Sequence, residues 1–137
     1  MSIWKKEIPN IQTFKYTGMI KHVGIEILEV GNDFLRGHMP VDDRTKQPLG
    51  LLHGGASCVL AETLGSYAAN LCCDKDHYAV GLEINANHIK SLTEGYLIGT
   101  ARPHHLGRST QVWSIEMKSK NDDLVCISRL TVAVKSH

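Results

Sequence analysis

At 137 residues the chain is long enough for one ordinary domain with a buried core, and too short for two comfortable ones. Hydrophobic residues make up 42% of the chain and charged residues 21%, a composition typical of globular proteins rather than disordered ones. The formal net charge of +1 argues against a protein that binds nucleic acid by neutralising phosphates.

The N-terminus is charged and lacks an apolar stretch followed by a cleavage site, so no secretory signal is predicted. No run approaches the roughly 18 apolar residues that cross a bilayer. The four cysteines form no CxxC pair, which indicates neither a disulfide framework nor a zinc site. We therefore expect reduced, mostly buried thiols in a cytoplasmic protein that does not bind a membrane.

The first third of the chain predicts one weak helical segment and two strands. Residues 8–22 are compatible with a short helix or two turns. Residues 23–30 and 34–41 alternate apolar and polar positions, and the Gly-Asn-Asp cluster between them is typical of a hairpin turn. Residues 42–52 contain a proline and a glycine and are predicted to form a loop.

The rest of the chain predicts one long helix and a series of strands. The helix runs from about Ala56 to Leu71. The strands that follow are 78–88, 96–104, 110–118 and 125–134. We therefore predict an α+β fold in which one long helix lies against a mainly antiparallel sheet of about six strands. Because a lone helix cannot cover both faces of a sheet or seal its edges, oligomerisation is expected.

His53, Gly54 and Gly55 come directly before this helix. Backbone N–H groups at a helix start have no intrahelical acceptor, and a glycine pair leaves them open to a ligand. Together with the positive end of the helix dipole, such donors suit a developing oxyanion. A glycine pair alone is more simply interpreted as a turn that leads into the helix.

Glu62 lies in the middle of the predicted helix, among small and apolar residues that indicate a buried face. Carboxylates are seldom buried unless they are paired or functional, and a carboxylate in a dry cleft suits a general base or a nucleophile. An exposed surface glutamate is the alternative, and with Ser57, Thr63 and Ser66 nearby it is no better supported.

Spacing predicts that this site needs two chains. Gly54 and Glu62 are eight residues apart, so about 12 Å separates them along one helix. One carbonyl group cannot contact both residues of the same helix. Two helices packed antiparallel across a two-fold axis would bring Glu62 of one chain to Gly54 of the other, and an isologous dimer would contain two such sites.

Three segments resemble a known family: HGGxxxxLAExxGS at 53–66, MPVDxRTxQPxGxLHGG at 39–55, and GLEINANHIK at 81–90. They are similar to the acyl-CoA thioesterases of the hotdog superfamily, in the 4-hydroxybenzoyl-CoA (Arthrobacter-type) and phenylacetate-pathway branch. Within this branch the chain most resembles the enzymes that act on 1,4-dihydroxy-2-naphthoyl-CoA and on misacylated aryl carrier protein in enterobactin synthesis. The likeness covers nearly the whole chain.

The resemblance implies one hotdog domain over residues 1–137. It implies hydrolysis of an acyl-CoA, preferably an aroyl-CoA, or of an acylated carrier protein. It also implies a homodimer with a continuous sheet and shared active sites, assembled further into a homotetramer. No cofactor or metal is implied, because coenzyme A is part of the substrate.

The resemblance also implies a role for each residue of the motif. Glu62 matches the carboxylate that attacks the carbonyl or activates water. Gly54 matches the residue whose N–H polarises the thioester carbonyl. Gln47 and His53 match polar groups that position the thioester or the water. Ser66 matches a hydroxyl that orients water or the leaving thiolate.

Five further residues match positions where the family binds coenzyme A: His88, Lys90, His105, Gly107 and Arg108. The relatives usually carry an Arg-Pro segment after the Asn-His pair, where this chain has Ile89-Lys90-Ser91. Since lysine offers no bidentate fork, a phosphate contact at this position is weaker or differently aimed.

Three alternatives to hydrolysis are less well supported by these residues. A hydratase or dehydratase of the same fold places its histidine and acid differently. A metal site built from His53, His88, His104 or His105 lacks any H-x₃-H or HExxH spacing. A non-catalytic acyl-CoA-binding protein would keep the fold without turnover, and thiol release from a thioester distinguishes it.

Overall fold

The computed structural model describes residues 1–137 and consists of one long helix packed against a six-stranded sheet. The helices are α1 (Gly18–His22) and α2 (Gly54–Leu71). The strands are β1 (Glu26–Val30), β2 (Leu35–Pro40), β3 (His77–His88), β4 (Tyr96–Leu106), β5 (Thr110–Lys118) and β6 (Leu124–Ser136). Their order is β1-β2-β4-β5-β6-β3, and all neighbours are antiparallel. The predicted fold class is confirmed.

Both ends of α2 are capped by contacts from outside the helix. His53 is the N-cap residue, and its Nδ1 accepts the N–H of Gly55 at 2.8 Å. The carbonyl oxygen of Leu71 accepts the N–H groups of Lys5 and Lys6 at 2.8 and 3.0 Å. The helix starts two residues earlier than predicted, because the glycine pair forms its first turn instead of the preceding loop. No helix of the protein is both long and apolar enough to cross a membrane.

The core lies between α2 and the sheet. Leu64 of α2 and Trp113 and Leu130 of the sheet are fully buried, and each such side chain stabilises the fold by about 1.5–3 kcal/mol. The indole Nε1 of Trp113 donates to Oε1 of Gln111 at 2.9 Å, so its polar atom is satisfied within the core. Gly65 of α2 lies so close to the sheet that a Cβ there would be 2.6 Å from Leu130 Cδ2.

The N-terminal segment contains less helix than residues 8–22 could have formed. Only α1 is helical, because Gly18 adopts φ +60°, a left-handed conformation that a continuous helix does not contain. A turn precedes it, in which Asn10 Oδ1 accepts the N–H of Gln12 at 3.0 Å. Phe14 packs edge-on against Tyr67 of α2 with a centroid distance of 5.4 Å, which places this segment along the helix.

The strands agree with the predicted ones except at their ends. β1 starts at Glu26 instead of residue 23, because Gly24 forms a turn with φ +80°. β4 and β6 both extend two residues beyond their predicted ends.

β3 lies at one edge of the sheet and contains a bulge. Gly81 pairs with Val132 and Glu83 pairs with Thr131, which leaves Leu82 without a partner in β6. The extra residue changes which side chains of β3 face α2.

Candidate active site

The N-terminal end of α2 presents one backbone donor with no protein acceptor. The N–H of Gly55 donates to the His53 imidazole, and those of Ala56 and Ser57 donate to the His53 carbonyl oxygen at 3.0 and 3.3 Å. The N–H of Gly54 donates to no protein atom. It lies at the positive end of the helix dipole and is therefore free to polarise a carbonyl group.

Gly54 lies in a cleft of about 260 Å³ between the start of α2, the loop before it and the end of β3. The cleft is lined by Gln47, Leu51, Leu52, Gly54, Ser57, His88, Ile89, Lys90, Ser91 and Val125. His88 packs directly over Gly54, since a Cβ at this position would lie 2.8 Å from His88 Nε2. Glycine therefore gives the His88 ring and a ligand room beside the free N–H.

The structure brings Gln47 and His53 to this same end of α2. Oε1 of Gln47 accepts the N–H of Leu49, and the N–H of Gly50 donates to the Gln47 carbonyl oxygen at 2.9 Å. Gly50 has φ +81°, which suits glycine in this tight turn. His53 uses Nδ1 in the helix cap, so only Nε2 remains for a ligand.

Glu62 lines a second cleft, of about 410 Å³, on the exposed side of α2. The cleft is lined by Ile20, Glu62, Thr63, Ser66, Tyr67 and Asn70. Glu62 was predicted on the buried face, but it is half-buried at the border of that face. Its carboxylate lies against the backbone of Gly81, where a Cβ would overlap Oε2 and lie 3.4 Å from Cδ.

Ser66 lies in this cleft beside Glu62, one helical turn further along. Burial raises the pKa of the neighbouring Tyr67, with a smaller contribution from Tyr16. The Tyr67 hydroxyl is therefore neutral throughout the physiological pH range. The cleft combines one carboxylate with neutral hydroxyl and amide groups.

The two clefts share no lining residue. Gly54 and Glu62 lie about 12 Å apart along α2, as their spacing predicts, so the donor and the carboxylate do not meet within one chain. Both clefts nevertheless border β3: His88, the last residue of this strand, lines the first, and Gly81 contacts the carboxylate of the second.

The residues predicted to bind coenzyme A fall into two separate groups. His88 and Lys90 line the Gly54 cleft, although Lys90 also forms an ion pair with Asp123 at 2.7 Å. Gly107 and Arg108 line a third cleft, of about 230 Å³, which also contains Cys72 at the C-terminal end of α2.

His105 lies in the same hairpin as this third cleft, and a Cβ at Gly107 would lie 2.6 Å from its Nε2. The hairpin is closed by the N–H of Gly107, which donates to the carbonyl oxygen of Thr110 at 2.9 Å. One chain therefore does not bring the five residues together around a single ligand.

The sequence alone did not single out Gly81, Asn70 or Tyr67, although all three lie near Glu62. Asn70 follows Glu62 by eight residues and Ser66 by four, a spacing that indicates one helix face. Gly81 is the first residue of the GLEINANHIK segment. Its contact with the carboxylate depends on how β3 packs against α2, which no local pattern shows.

Comparison with known proteins identifies the family. The sequence profile of the thioesterase superfamily matches residues 49–126, more than half of the chain, from the loop before α2 into β6. The chain belongs to the thioesterase superfamily. The matched range contains Gly54, Glu62 and Gly81.

Relatives within the thioesterase superfamily match almost end to end. The 1,4-dihydroxy-2-naphthoyl-CoA hydrolase of Escherichia coli is 48% identical, over 96% of this chain and 98% of that protein. The proofreading thioesterase EntH of Cronobacter turicensis is 43% identical, over 96% of this chain and 98% of that protein. The crystal structure of a Haemophilus influenzae thioesterase superposes with a TM-score of 0.94 at 42% identity, covering 98% of this chain and 95% of that one.

These findings confirm the resemblance and the hotdog fold, together with the expected class of enzyme, a thioester hydrolase. Thioesterase superfamily membership favours hydrolysis over the hydratase alternative. The roles of individual residues remain predictions.

Proposed function

We propose that the protein hydrolyses an aroyl thioester of coenzyme A, or of a carrier protein, at a site shared by two chains. Glu62 of one chain acts on the carbonyl that the Gly54 N–H of the other polarises. One observation carries this proposal: the free helix N–H and the half-buried carboxylate occupy two different clefts that border the same edge strand.

The free edge of β3 supports the dimer. This 12-residue strand pairs only with β6. Its side chains Val80 and Leu82 are apolar yet 39% and 61% exposed. A long apolar edge strand is a template for pairing with another chain. Two β3 strands paired antiparallel across a two-fold axis would form one continuous sheet.

Asn70 limits where this pairing can occur. Its Oδ1 accepts the N–H of Ala79 at 2.9 Å, and its Nδ2 donates to the Ala79 carbonyl oxygen at 3.2 Å. Because both backbone groups of Ala79 are taken, a partner strand can pair only beyond this residue. Pairing centred on residue 85 would place Leu82 of one chain, next to Gly81, opposite His88 of the other, and would thereby bring the two clefts together.

The reaction needs a nucleophile and a stabilised oxyanion. In one form of the mechanism Glu62 removes a proton from water, the hydroxide adds to the carbonyl carbon, and the C–S bond breaks with the proton passing to the thiolate. In the other, the Glu62 carboxylate adds directly, the thiolate leaves, and water cleaves the resulting anhydride. The Gly54 N–H stabilises the oxyanion in both forms.

The remaining site residues would assist at the two clefts. Gln47 and His53 lie at the same end of α2 as the Gly54 N–H and would position the thioester or the water. Ser66 lies with Glu62 and would orient water or the leaving thiolate. His88 and Lys90 of one cleft, and His105, Gly107 and Arg108 of the hairpin, would bind different parts of coenzyme A from different chains.

The substrate class rests on the relatives. One acts, by its name, on 1,4-dihydroxy-2-naphthoyl-CoA, and another is a proofreading thioesterase. We extend aroyl specificity from the first to this chain. A competition panel of benzoyl-CoA, a medium-chain acyl-CoA and an acylated aryl carrier protein tests it; a preference for the medium-chain substrate would contradict it.

We further propose that two dimers form a homotetramer, as the resemblance implies, and that the enzyme works in the cytoplasm. All four cysteines are free in the structure, which agrees with a reducing compartment.

The proposed function is tested by thiol release from benzoyl-CoA. Wild-type protein should release coenzyme A, and Glu62→Ala should not. Release at equal rates by both proteins would contradict the role of Glu62, and no release by either would favour a protein that only binds acyl-CoA. In a single turnover in H₂¹⁸O, label in Glu62 identifies nucleophilic attack followed by water addition at the Glu62 carboxyl carbon, because general-base catalysis labels only the released acid.

Sharing of the site is tested by mixing two inactive variants, Glu62→Ala and Gly54→Pro. After subunit exchange, a heterodimer contains one site with both Glu62 and the Gly54 N–H intact. Random exchange should therefore restore about a quarter of wild-type activity, since half the dimers are mixed and each has one working site. A mixture that stays inactive although exchange is demonstrated would contradict the shared site.

A further inference from the structure

We propose that Gly81 is a positioning residue for the Glu62 carboxylate, an inference that rests on the proposed function. The bare backbone of β3 at this position forms the surface against which the carboxylate lies. The carboxylate occupies the space that any side chain at residue 81 would fill.

The contact involves the carboxylate specifically. A Cβ at Gly81 would overlap Oε2 of Glu62 and lie 3.4 Å from its Cδ, while the next nearest atom, Leu130 Cδ1, is 3.8 Å away. The core neighbour is thus at ordinary van der Waals distance. A methyl group at this position would displace the end of a flexible side chain and leave the core in place.

The backbone of β3 does not itself require glycine at this position. Gly81 is not among the residues with positive φ, unlike Gly24, Gly50 and Gly95. Alanine can therefore adopt the same conformation without strain. Glycine is needed at residue 81 for the space beside it.

The bulge directs Gly81 toward the helix. Up to Gly81 the odd-numbered residues of β3 lie opposite the buried side of β6, as Ala79 does opposite Val134. After the unpaired Leu82 the even-numbered residues take that position, beginning with Ile84 opposite Leu130. Gly81 is therefore the last inward-facing residue before the bulge, and bulges next to active sites commonly re-aim nearby groups.

Asn70 fixes this part of β3 relative to α2. Its amide holds both backbone groups of Ala79, two residues before Gly81, and Nδ2 also donates to the Ser66 carbonyl oxygen at 2.9 Å. The helix that carries Glu62 and the strand that carries Gly81 are thus joined close to their contact. The distance between carboxylate and strand backbone is set by a rigid pair of elements.

The test compares Gly81→Ala with Gly99→Ala by steady-state kinetics and thermal unfolding. Gly99 is a strand glycine whose added Cβ would meet core atoms, at 2.8 Å from Leu64 Cδ1 and 3.3 Å from Met117 Cγ. We expect Gly81→Ala to lower kcat by about 100-fold with KM within about threefold of wild type, because a 1 Å misplacement of a catalytic group costs that much. Its Tm should match wild type, whereas Gly99→Ala should lower the Tm and leave kcat nearly unchanged.

A double-mutant cycle with Glu62→Asp gives a readout that a purely structural role would not change. Aspartate is one methylene shorter and withdraws from the space that the new methyl group fills. Glu62→Asp should therefore lower kcat less in the Gly81→Ala background than in wild type, which is non-additive behaviour expected of residues in contact.

The outcomes separate this inference from the function it rests on. An inactive wild type or a fully active Glu62→Ala contradicts the proposed function. Given an active wild type and an inactive Glu62→Ala, a kcat of Gly81→Ala within threefold of wild type contradicts the role of Gly81. So do additive effects in the cycle, or failure of Gly81→Ala to fold, because the methyl group would then displace more than the carboxylate.

Discussion

The two clefts along α2 present their chemistry in different ways. At the helix start the proposed reactive group is the backbone N–H of Gly54, which donates to no protein atom and lies beside the His88 ring. In the middle of the helix the proposed reactive group is the Glu62 side chain, which has rotatable bonds and whose carboxylate lies against the backbone of Gly81. The position of the Gly54 N–H is thus set by secondary structure, whereas the position of the Glu62 carboxylate is set by packing between a helix and a strand.

Removal of the carboxylate is expected to have the largest effect. Glu62→Gln keeps the size and the contact with Gly81 but can neither attack a carbonyl nor accept a proton from water. We expect kcat to fall by about 10³-fold or more, within the range for a general base, with KM little changed. Stopped-flow detection of released thiol measures this. A loss under tenfold would show that the Gly54 N–H contributes more to catalysis than the Glu62 carboxylate does.

Removal of the Gly54 N–H is expected to cause the second-largest loss of kcat. Gly54 is the first residue of α2, a position where proline is well tolerated, and His53 before it is already extended at φ −70°, ψ 129°. Gly54→Pro therefore deletes the N–H while the helix persists. We expect a loss of about 10²-fold in kcat, as for removal of one oxyanion donor.

Gly54→Ala is the matched control for this variant. Its Cβ displaces the His88 ring as the proline would, but the N–H remains. Equal kcat values for the alanine and proline variants would show that the crowding of His88, and not the missing donor, causes the loss.

The sequence predicts the Gly54 end of the site better than the surroundings of Glu62. Two glycines at a helix start indicate free N–H groups by a local rule, and α2 does begin with them. Alternation and turn residues likewise predict the six strands. Which residue of β3 meets Glu62 depends on the bulge at Leu82, where unequal pairing with β6 changes which residues of β3 face inward. A residue-by-residue pattern contains no information about that pairing, so Gly81 and Asn70 become visible only in the fold.

Substitution of His53 is expected to have a smaller effect, on both the free energy of unfolding and kcat. His53→Ala removes the N-cap of α2 and should lower the free energy of unfolding by about 1 kcal/mol in urea titrations. His53→Asn restores a good capping group and should recover that stability. We expect both variants to lose about tenfold in kcat, the equivalent of one hydrogen bond from Nε2. Full activity of His53→Asn would reduce the role of this histidine to capping.

The smallest expected effect concerns the reactivity of the cysteine thiols. Their burial also differs between the two ends of α2. Cys58, near the start of the helix, is half-buried, whereas Cys72 at its end is buried. Burial raises the pKa of Cys72 to about 12 and that of Cys126 to about 11. Both are therefore protonated thiols at neutral pH, and we expect Cys58 to react first with a thiol reagent in the native protein.

The same pKa shifts predict how stability depends on pH. In the unfolded chain these thiols ionise near pH 9.0, but in the folded protein they remain protonated until about 11 or 12. Between these values the folded state binds more protons, so the free energy of unfolding falls as the pH rises. Urea titrations from pH 8 to 11 should show this decline, and Cys72→Ala should make it shallower. An unchanged slope in Cys72→Ala would contradict the raised pKa of the Cys72 thiol.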